Sequence, residues 1–146
     1  MSVVSADIEP ITCVFEDDGL VPNNPMPFVV YKLALDVAND HPEKTIEGLF
    51  GANGWGDMWR DGIFDYLHYH ATVHEALGIA RGRARVRFGG DHGQAIEVVA
   101  GDVAILPAGT GHQWCDPRRP VQGGQSDGRP GGADVRVCRR ADRLAA

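Results

Sequence analysis

The sequence has few cysteines, no long apolar run and no basic leader. Its three cysteines, Cys13, Cys115 and Cys138, are odd in number and far apart, and no two of them form a CxxC pair. This pattern excludes a zinc knuckle or a thioredoxin-like redox motif and predicts reduced thiols. No stretch approaches the roughly 18 apolar residues of a membrane span, and no basic segment precedes an apolar run at the N-terminus. We therefore expect a cytoplasmic protein that does not enter membranes.

Positive charge is also scarce. The formal net charge is -6 at pH 7. Nucleic-acid binding depends on clustered lysine and arginine side chains that neutralise phosphates. The charge therefore argues against a nucleic-acid partner and favours a small-molecule ligand or substrate.

Glycine and proline, in contrast, are plentiful. The 146 residues include 19 glycines and 9 prolines, which favours many turns between short strands. A chain of this length fits one domain that buries a core without needing disulfides. We predict a single, mainly β domain.

One strand and one helix are predicted in the first third of the chain. Residues 28–35 read FVVYKLAL, which is rich in the β-branched and aromatic residues of strands. Asp40 and Glu43 are then spaced as in a capping box. A helix over residues 41–50 would place on one face Ile46, Leu49 and Phe50.

The periodicity changes after this helix. Residues 51–62 contain glycines and two tryptophans without sustained periodicity, so we expect a loop, with a lid over a pocket as one hypothesis for its role. A period of two then predicts a strand over residues 63–70, whose one face carries Phe64, Tyr66, His68 and His70. Two aromatic side chains therefore lead into two histidines on the same face.

The next segments predict an antiparallel arrangement. Residues 83–88 alternate strictly, with arginines on one face and with Ala84, Val86 and Phe88 on the other. The turn sequence GGDHG follows, so these residues and residues 94–100 are expected to form a hairpin, and a further strand is expected over residues 103–106. Short strands with regular turns indicate a sandwich or barrel.

The composition shifts after Asp116. Residues 117–146 hold seven arginines against three aspartates, and their only strand-like run is DVRVC at residues 134–138. We therefore divide the chain into a barrel domain over residues 1–116 and an atypical tail over residues 117–146, much of which we expect to be loosely ordered.

Two glycine-punctuated segments carry the functional signal. The first contains, at fixed spacing, Gly62, His68, His70, Glu75 and Gly82, and the second contains Gly101, Pro107, Gly109 and His112. Three imidazoles and one carboxylate are a ligand set for a divalent transition metal such as Mn, Fe, Co, Ni, Cu or Zn. A metal site is therefore the first hypothesis, with His68, His70, Glu75 and His112 as its ligands.

These segments resemble the two motifs of the cupin superfamily. Nine of the ten fixed motif positions agree, and the tenth has Asp116 where the family has asparagine. The stretch from Phe15 to His112 is similar to a subgroup of single-domain bacterial cupins, the YjlB-like proteins. The resemblance implies a double-stranded β-helix, or jelly-roll barrel, with one short N-terminal helix before the motifs.

The remaining histidines have other interpretations. The pair His74 and Glu75 begins like the HExxH motif of zinc proteases, but Gly78 stands at the fifth position, so that motif is absent. Because neighbouring residues alternate on a strand, His74 should point away from the face of Glu75. We expect it to support the ligands from behind or to be exposed, while His41 and His92 are expected to be solvated.

Aromatic residues beside the predicted ligands have two readings. Phe64, Tyr66 and Trp114 either line a substrate pocket or belong to an ordinary barrel core. Beyond the ligands, the residues available for proton transfer are mainly Tyr66, His74 and Asp116, and no catalytic residue is assigned.

Three functions remain open. The first is a metal-dependent enzyme acting on a small polar or aromatic metabolite, either a dioxygenase-like oxidoreductase or an isomerase. The second is a non-catalytic barrel that binds or senses a small molecule. The third is an impaired cupin, because members of the family resembling this chain continue with strands that complete the barrel, whereas the tail resembles a shifted reading frame or a divergent terminus. The open edge would then either be covered by a homodimer partner or promote aggregation.

Overall fold

In the part of the chain that the structure describes, the fold is mostly β-sheet with one helix, as predicted. The computed structural model describes residues 4–5, 7–115, 130–131 and 136–143. Along them the elements are β1 Ile11–Phe15, β2 Asn24–Tyr31, α1 Pro42–Ala52, β3 Gly56–Asp61, β4 Ile63–Phe64, β5 Val73–Arg81, β6 Arg83–Phe88, β7 Gln94–Val99, β8 Val103–Leu106, β9 His112–Trp114, β10 Pro130–Gly131 and β11 Arg136–Arg143. No helix in this part of the chain has the length and apolar character needed to cross a bilayer.

The strands form two main antiparallel sheets. The larger sheet has the order β1-β2-β8-β5-β11-β3, and the smaller has the order β7-β6-β9. A third, two-stranded sheet joins β10 to β4. The predicted antiparallel arrangement is confirmed.

Strand β5 is buried on both of its faces. Leu77 and Ile79 belong to the core cluster that also contains Val86 and Phe88 of the smaller sheet. Ala76 and Ala80, on the alternate face, pack in a second cluster with helix α1. Because side chains alternate along a strand, Glu75 falls on the face of Leu77 and Ile79 and points between the two sheets.

The helix is confirmed, but its N-terminal cap is not as predicted. Helix α1 buries Ile46 and Phe50 against the larger sheet. Its N-cap residue is His41, and no side chain caps the first turn. The expected capping-box residue Glu43 instead accepts a hydrogen bond at 2.8 Å from Arg81 Nε on β5. That bond holds the pKa of the Glu43 carboxyl below its ordinary value. The capping-box prediction is wrong because the carboxylate forms an ion pair with Arg81 instead of capping the helix.

The contact between helix α1 and β5 depends on the absence of a side chain at Gly78. A Cβ atom there would clash with Ile46 Cγ2 and would lie 3.1 Å from Phe50 Cζ. We expect Gly78→Ala to lower the free energy of unfolding by about 1–3 kcal/mol, as overpacked cores do. Gly48, in the helix with open space around it, is the matched control, and Gly48→Ala should stabilise by about 0.5–1 kcal/mol. Urea unfolding of both variants measures this, and equal effects would contradict the close approach.

The hairpin is observed where the sequence predicts it. β6 and β7 pair antiparallel, with Arg83 opposite Val99 and Phe88 opposite Gln94. The inward residues of β6 are buried, namely Ala84, Val86 and Phe88. The strand expected over residues 103–106 is β8, so this part of the prediction is confirmed.

Two predicted segments differ in the structure. Residues 51–62 were expected to be a loop, but β3 occupies Gly56–Asp61 and pairs with β11, a partner about 80 residues away that local periodicity cannot reveal. The strand expected over residues 28–35 is shifted to Asn24–Tyr31. It ends there because Leu33 adopts a positive φ of 50° and its N–H donates to Asp102 Oδ1.

The strand expected over residues 63–70 is interrupted. Regular pairing covers only Ile63–Phe64, which pair with β10, and His68 forms an isolated bridge with His112. The two ends of the segment therefore pair with different strands, and the residues between them bend.

Part of the expected tail lies within the larger sheet. β11 pairs with β5 on one side and with β3 on the other. Of the predicted strand-like run at residues 134–138, residues 136–138 belong to β11, which extends to Arg143. Residues 116–129, 132–135 and 144–146 lie outside the described residues. The division at residue 116 and the loose order of the tail stay predictions.

Candidate metal centre

The two sequence motifs meet at a backbone bridge. The N–H of His68 donates to the carbonyl of His112 at 3.2 Å, and the N–H of His112 donates to the carbonyl of His68 at 3.0 Å. This reciprocal pair joins residues 44 positions apart in the sequence. Their imidazole rings consequently lie close together, with centroids 4.0 Å apart.

Three of the four predicted ligands form one close group at this bridge. One ring nitrogen from each of His68, His70 and His112 lies within 4.8 Å of those of the other two. Glu75, on β5, is not part of this mutually close group but lies beside two of its members, since its Oε2 is 2.9 Å from His70 Nε2 and its Oε1 is 3.4 Å from His112 Nε2. Glu75 and His112 are almost fully buried, whereas the His70 side chain is 37% exposed. The cluster is therefore closed on its inner side and accessible from His70.

Backbone carbonyls orient two of the imidazoles. His68 Nδ1 lies 3.3 Å from the carbonyl of Tyr66, and His112 Nδ1 lies 3.2 Å from the carbonyl of Thr110. If each Nδ1 carries the proton and donates it to the carbonyl, each Nε2 keeps its lone pair for a metal. Both carbonyls belong to residues two positions before the histidine.

The predicted aromatic neighbours divide into two groups. Phe64 and Tyr66 stack with centroids 5.0 Å apart, and each ring lies 5.5 Å from the ring of His68. Tyr66 is 38% exposed, so the stack forms an accessible aromatic wall beside the histidines. Trp114 instead packs against the core between the sheets, which corresponds to the core alternative for that residue.

His74 holds a neighbouring turn. Its Nδ1 accepts a hydrogen bond at 2.9 Å from the N–H of Ala108. Among the described residues, the cluster of possible metal ligands does not include His74. Its expected role behind the ligands therefore agrees with the geometry, while His41 and His92 are exposed as expected.

Several residues near His112 carried no recognisable sequence signal. Arg87 was expected to be one of three outward arginines, but its side chain is only 17% exposed, and its Nη2 donates to Gln113 Oε1 and to Asp91 Oδ1, both at 2.9 Å. Gln113 in turn donates to the carbonyl of Asp65 at 2.9 Å. An alternating pattern identifies the face of a side chain but not the partner that covers it.

The best-defined cavity in the described part of the chain is not at this centre. It measures about 390 Å³ and is lined mainly by apolar side chains such as Ile8, Leu35, Leu49 and Val103. None of the predicted ligands lines it, and it lacks metal-binding groups near one another.

The site joins the two segments that resemble the cupin motifs. A mainly antiparallel β fold brings the three motif histidines together, with Glu75 beside two of them. The sequence of the chain is 40% identical over 103 residues to the uncharacterised protein YjlB of Bacillus subtilis (strain 168). That match covers 70% of this chain and 59% of YjlB, so the chain spans about three fifths of the length of that relative.

Solved structures also resemble the chain, at low identity. No protein-family model matches it. A DUF861 family protein from Thermotoga maritima is 17% identical, with a TM-score of 0.40, over 69% of this chain and 90% of that chain. A predicted oxalate decarboxylase from the same organism is 17% identical, with a TM-score of 0.41, over 99% and 100%. Acireductone dioxygenase from Bacillus anthracis, with a cadmium ion in its active centre, is 16% identical, with a TM-score of 0.47, over 80% and 78%.

Proposed function

We propose that this chain is a metal-dependent cupin whose ligands are His68, His70, Glu75 and His112. The observation that carries the proposal is the close group of three imidazoles, drawn from both motifs, with the Glu75 carboxylate beside two of them. A set of three imidazoles and one carboxylate suits a divalent transition metal, from manganese to zinc.

The donor spacing fits a metal ion. Ligand atoms that each bind an ion at about 2.0–2.2 Å lie about 3–3.5 Å from their neighbours in tetrahedral or octahedral geometry. Glu75 lies 2.9 Å from His70 and 3.4 Å from His112, measured between the nearest donor atoms. The carboxylate is also the only anion of the set, so it would offset part of the charge of the ion.

We further propose that the two sheets close into the jelly-roll barrel of the cupins, with this cluster inside one end. Supporting this, the larger sheet supplies Glu75, whereas His112 belongs to β9 of the smaller sheet. A site that draws ligands from two facing sheets is open only along the space between them. The exposed side of His70 marks that opening.

The proposed activity is that of an enzyme acting on a small polar or aromatic metabolite, either a dioxygenase-like oxidoreductase or an isomerase. A divalent transition metal supplies Lewis acidity or redox chemistry when bound. The chain itself supplies the aromatic wall of Phe64 and Tyr66, which would exclude water and stack against a planar substrate. The accessibility of this aromatic wall beside His68 supports a small-molecule partner.

One observation favours binding without turnover. His74, a candidate for proton transfer, lies outside the group of mutually close histidines and uses Nδ1 to accept the hydrogen bond from Ala108. Tyr66 is then the remaining described candidate, since Asp116 lies outside the described residues. Thermal-shift screening paired with turnover assays distinguishes the two functions, because compounds that stabilise the metal-bound protein without reacting favour a sensor.

Elemental analysis tests the metal proposal. Wild-type protein purified without added metal is expected to contain about one equivalent of a divalent transition metal. A His68→Ala/His70→Ala double variant should contain almost none, because it loses two of the four donors. A His41→Ala/His92→Ala variant, which loses two exposed histidines, is the matched control and should keep the metal. Equal, near-zero metal in wild type and in the double variant would contradict the proposal.

A further inference from the structure

The turn before His112 is held to the first motif by two hydrogen bonds. This turn comprises residues 107–111 and leads directly into β9. The N–H of Ala108 donates to His74 Nδ1 at 2.9 Å, and the N–H of Gly109 donates to the carbonyl of His70 at 2.7 Å. One side of the turn is therefore attached to the segment that carries His70 and Glu75.

The other side of the same turn is held by Asn23. Its backbone N–H donates to the carbonyl of Gly109 at 2.9 Å, and its Oδ1 accepts from the N–H of Gly111 at 3.2 Å. Its Nδ2 donates to the carbonyls of Glu16 and Gly89, at 2.8 and 3.0 Å. Asn23 is only 7% exposed and has a positive φ of 54°, which asparagine tolerates better than most residues. A buried side chain thus joins two other segments, at Glu16 and Gly89, to the turn.

We propose that His74 and Asn23 are positioning residues that fix where His112 Nε2 lies relative to the other three ligands, without binding the metal themselves. The proposal rests on the metal-binding function proposed above. Its physical basis is the short connection, since Gly111 immediately precedes His112 and any shift of the turn moves the imidazole. Groups that orient a ligand from behind typically affect metal affinity about 10–100-fold.

The hydrogen bond of His74 fixes which of its ring nitrogens carries the proton. A nitrogen that accepts from a backbone N–H cannot carry a proton, so the ring proton of neutral His74 lies on Nε2. Asparagine places its amide oxygen close to the position of a histidine Nδ1, whereas glutamine places its oxygen closer to the position of Nε2. A comparison of the asparagine and glutamine variants therefore separates the effect of the hydrogen bond from the effects of side-chain polarity and approximate size.

The experiment compares His74→Leu, His74→Gln and His74→Asn with wild type. Dissociation constants for Zn²⁺ are measured by competition with a chromophoric chelator, after far-UV circular dichroism has shown that each variant is folded. His74→Leu and His74→Gln should bind Zn²⁺ about 10–100-fold more weakly, and His74→Asn should bind close to wild type. Asn23→Gly, which keeps the positive φ but removes the side-chain bonds, should weaken binding in the same direction.

A metal-free readout separates this proposal from the proposed function. Long-range ¹H–¹⁵N spectra of the imidazoles report whether His112 holds one tautomer, with Nδ1–H facing the carbonyl of Thr110. We expect one tautomer in wild type and His74→Asn, and mixed or broadened signals in His74→Leu. If wild type binds no Zn²⁺ but His112 still changes in His74→Leu, the metal function fails while the positioning role stands.

Two results would overturn the positioning role itself. One is a His74→Leu protein with wild-type Zn²⁺ affinity and unchanged His112 signals. The other is a His74→Asn protein that behaves like His74→Leu, because the hydrogen bond would then contribute nothing that packing does not. In both cases metal binding by wild type would leave the proposed function intact.

Discussion

Replacing Asp102 by alanine is expected to lower the free energy of unfolding by about 2–4 kcal/mol, because two backbone N–H groups would each lose their acceptor. Asp102 is fully buried between β7 and β8. Its Oδ1 accepts from the N–H of Leu33 at 2.7 Å, and its Oδ2 accepts from the N–H of Val99 at 2.8 Å and pairs with the Lys32 ammonium.

The location of Asp102 explains the size of this effect. One carboxylate joins the end of β2 to the turn between β7 and β8, so it connects the two sheets on which the candidate metal centre depends. Lys32 is 35% exposed and can return to water when its partner is lost. The main cost therefore comes from the two amides and from the cavity that alanine leaves, rather than from an unpaired lysine.

Urea unfolding at neutral pH measures the effect of Asp102→Ala. Glu97→Ala is the matched control, because Glu97 lies on β7 in the same region, is 61% exposed at its side chain and pairs only loosely with Arg83, at 3.9 Å. Its loss should change the free energy of unfolding by less than about 0.5 kcal/mol, as exposed pairs do. Similar values for the two variants would show that Asp102 does not join the sheets as described.

Glu75→Gln is expected to weaken binding of a divalent transition metal by at least about 100-fold, since losing a ligand should cost more than losing a group that merely orients one. Glutamine keeps the shape of the side chain but removes the only negative charge among the four proposed ligands. Glu75 is 2% exposed, so water does not readily replace its oxygen beside His70 and His112. The variant should release metal faster than wild type. It should also lack the increase in Tm that added metal gives to wild type.

Chelator competition with Zn²⁺ and with Co²⁺ measures the loss. Glu97→Gln makes the same chemical change at an exposed position of β7 and should bind metal like wild type. An unchanged dissociation constant in Glu75→Gln would mean that the three histidines hold the ion without the carboxylate. Unfolding curves of the variant and of wild type, both recorded in excess chelator, show whether the substitution also alters the stability of the metal-free protein.

The sequence predicted the elements whose evidence is local. The alternation over residues 83–88 predicted β6 and its buried face, and the apolar spacing of Ile46 and Phe50 predicted the buried face of α1. Both patterns depend only on the period of side chains along one element. Predictions were wrong or displaced for elements that depend on a distant partner. Residues 56–61 have no clear period, yet they form β3 because β11 pairs with them.

The sequence by itself determined which residues belong to the candidate site, because motif spacing records residue type and separation, and His68, His70, Glu75 and His112 needed nothing more to be selected. Only the tertiary structure decided how they meet. It placed His112 beside His68 through a backbone bridge, turned Glu75 toward the smaller sheet, and held the intervening turn with Asn23 and His74. The physical reason is that a ligand's identity is a property of one residue, whereas its position depends on hydrogen bonds between segments that are far apart in the sequence.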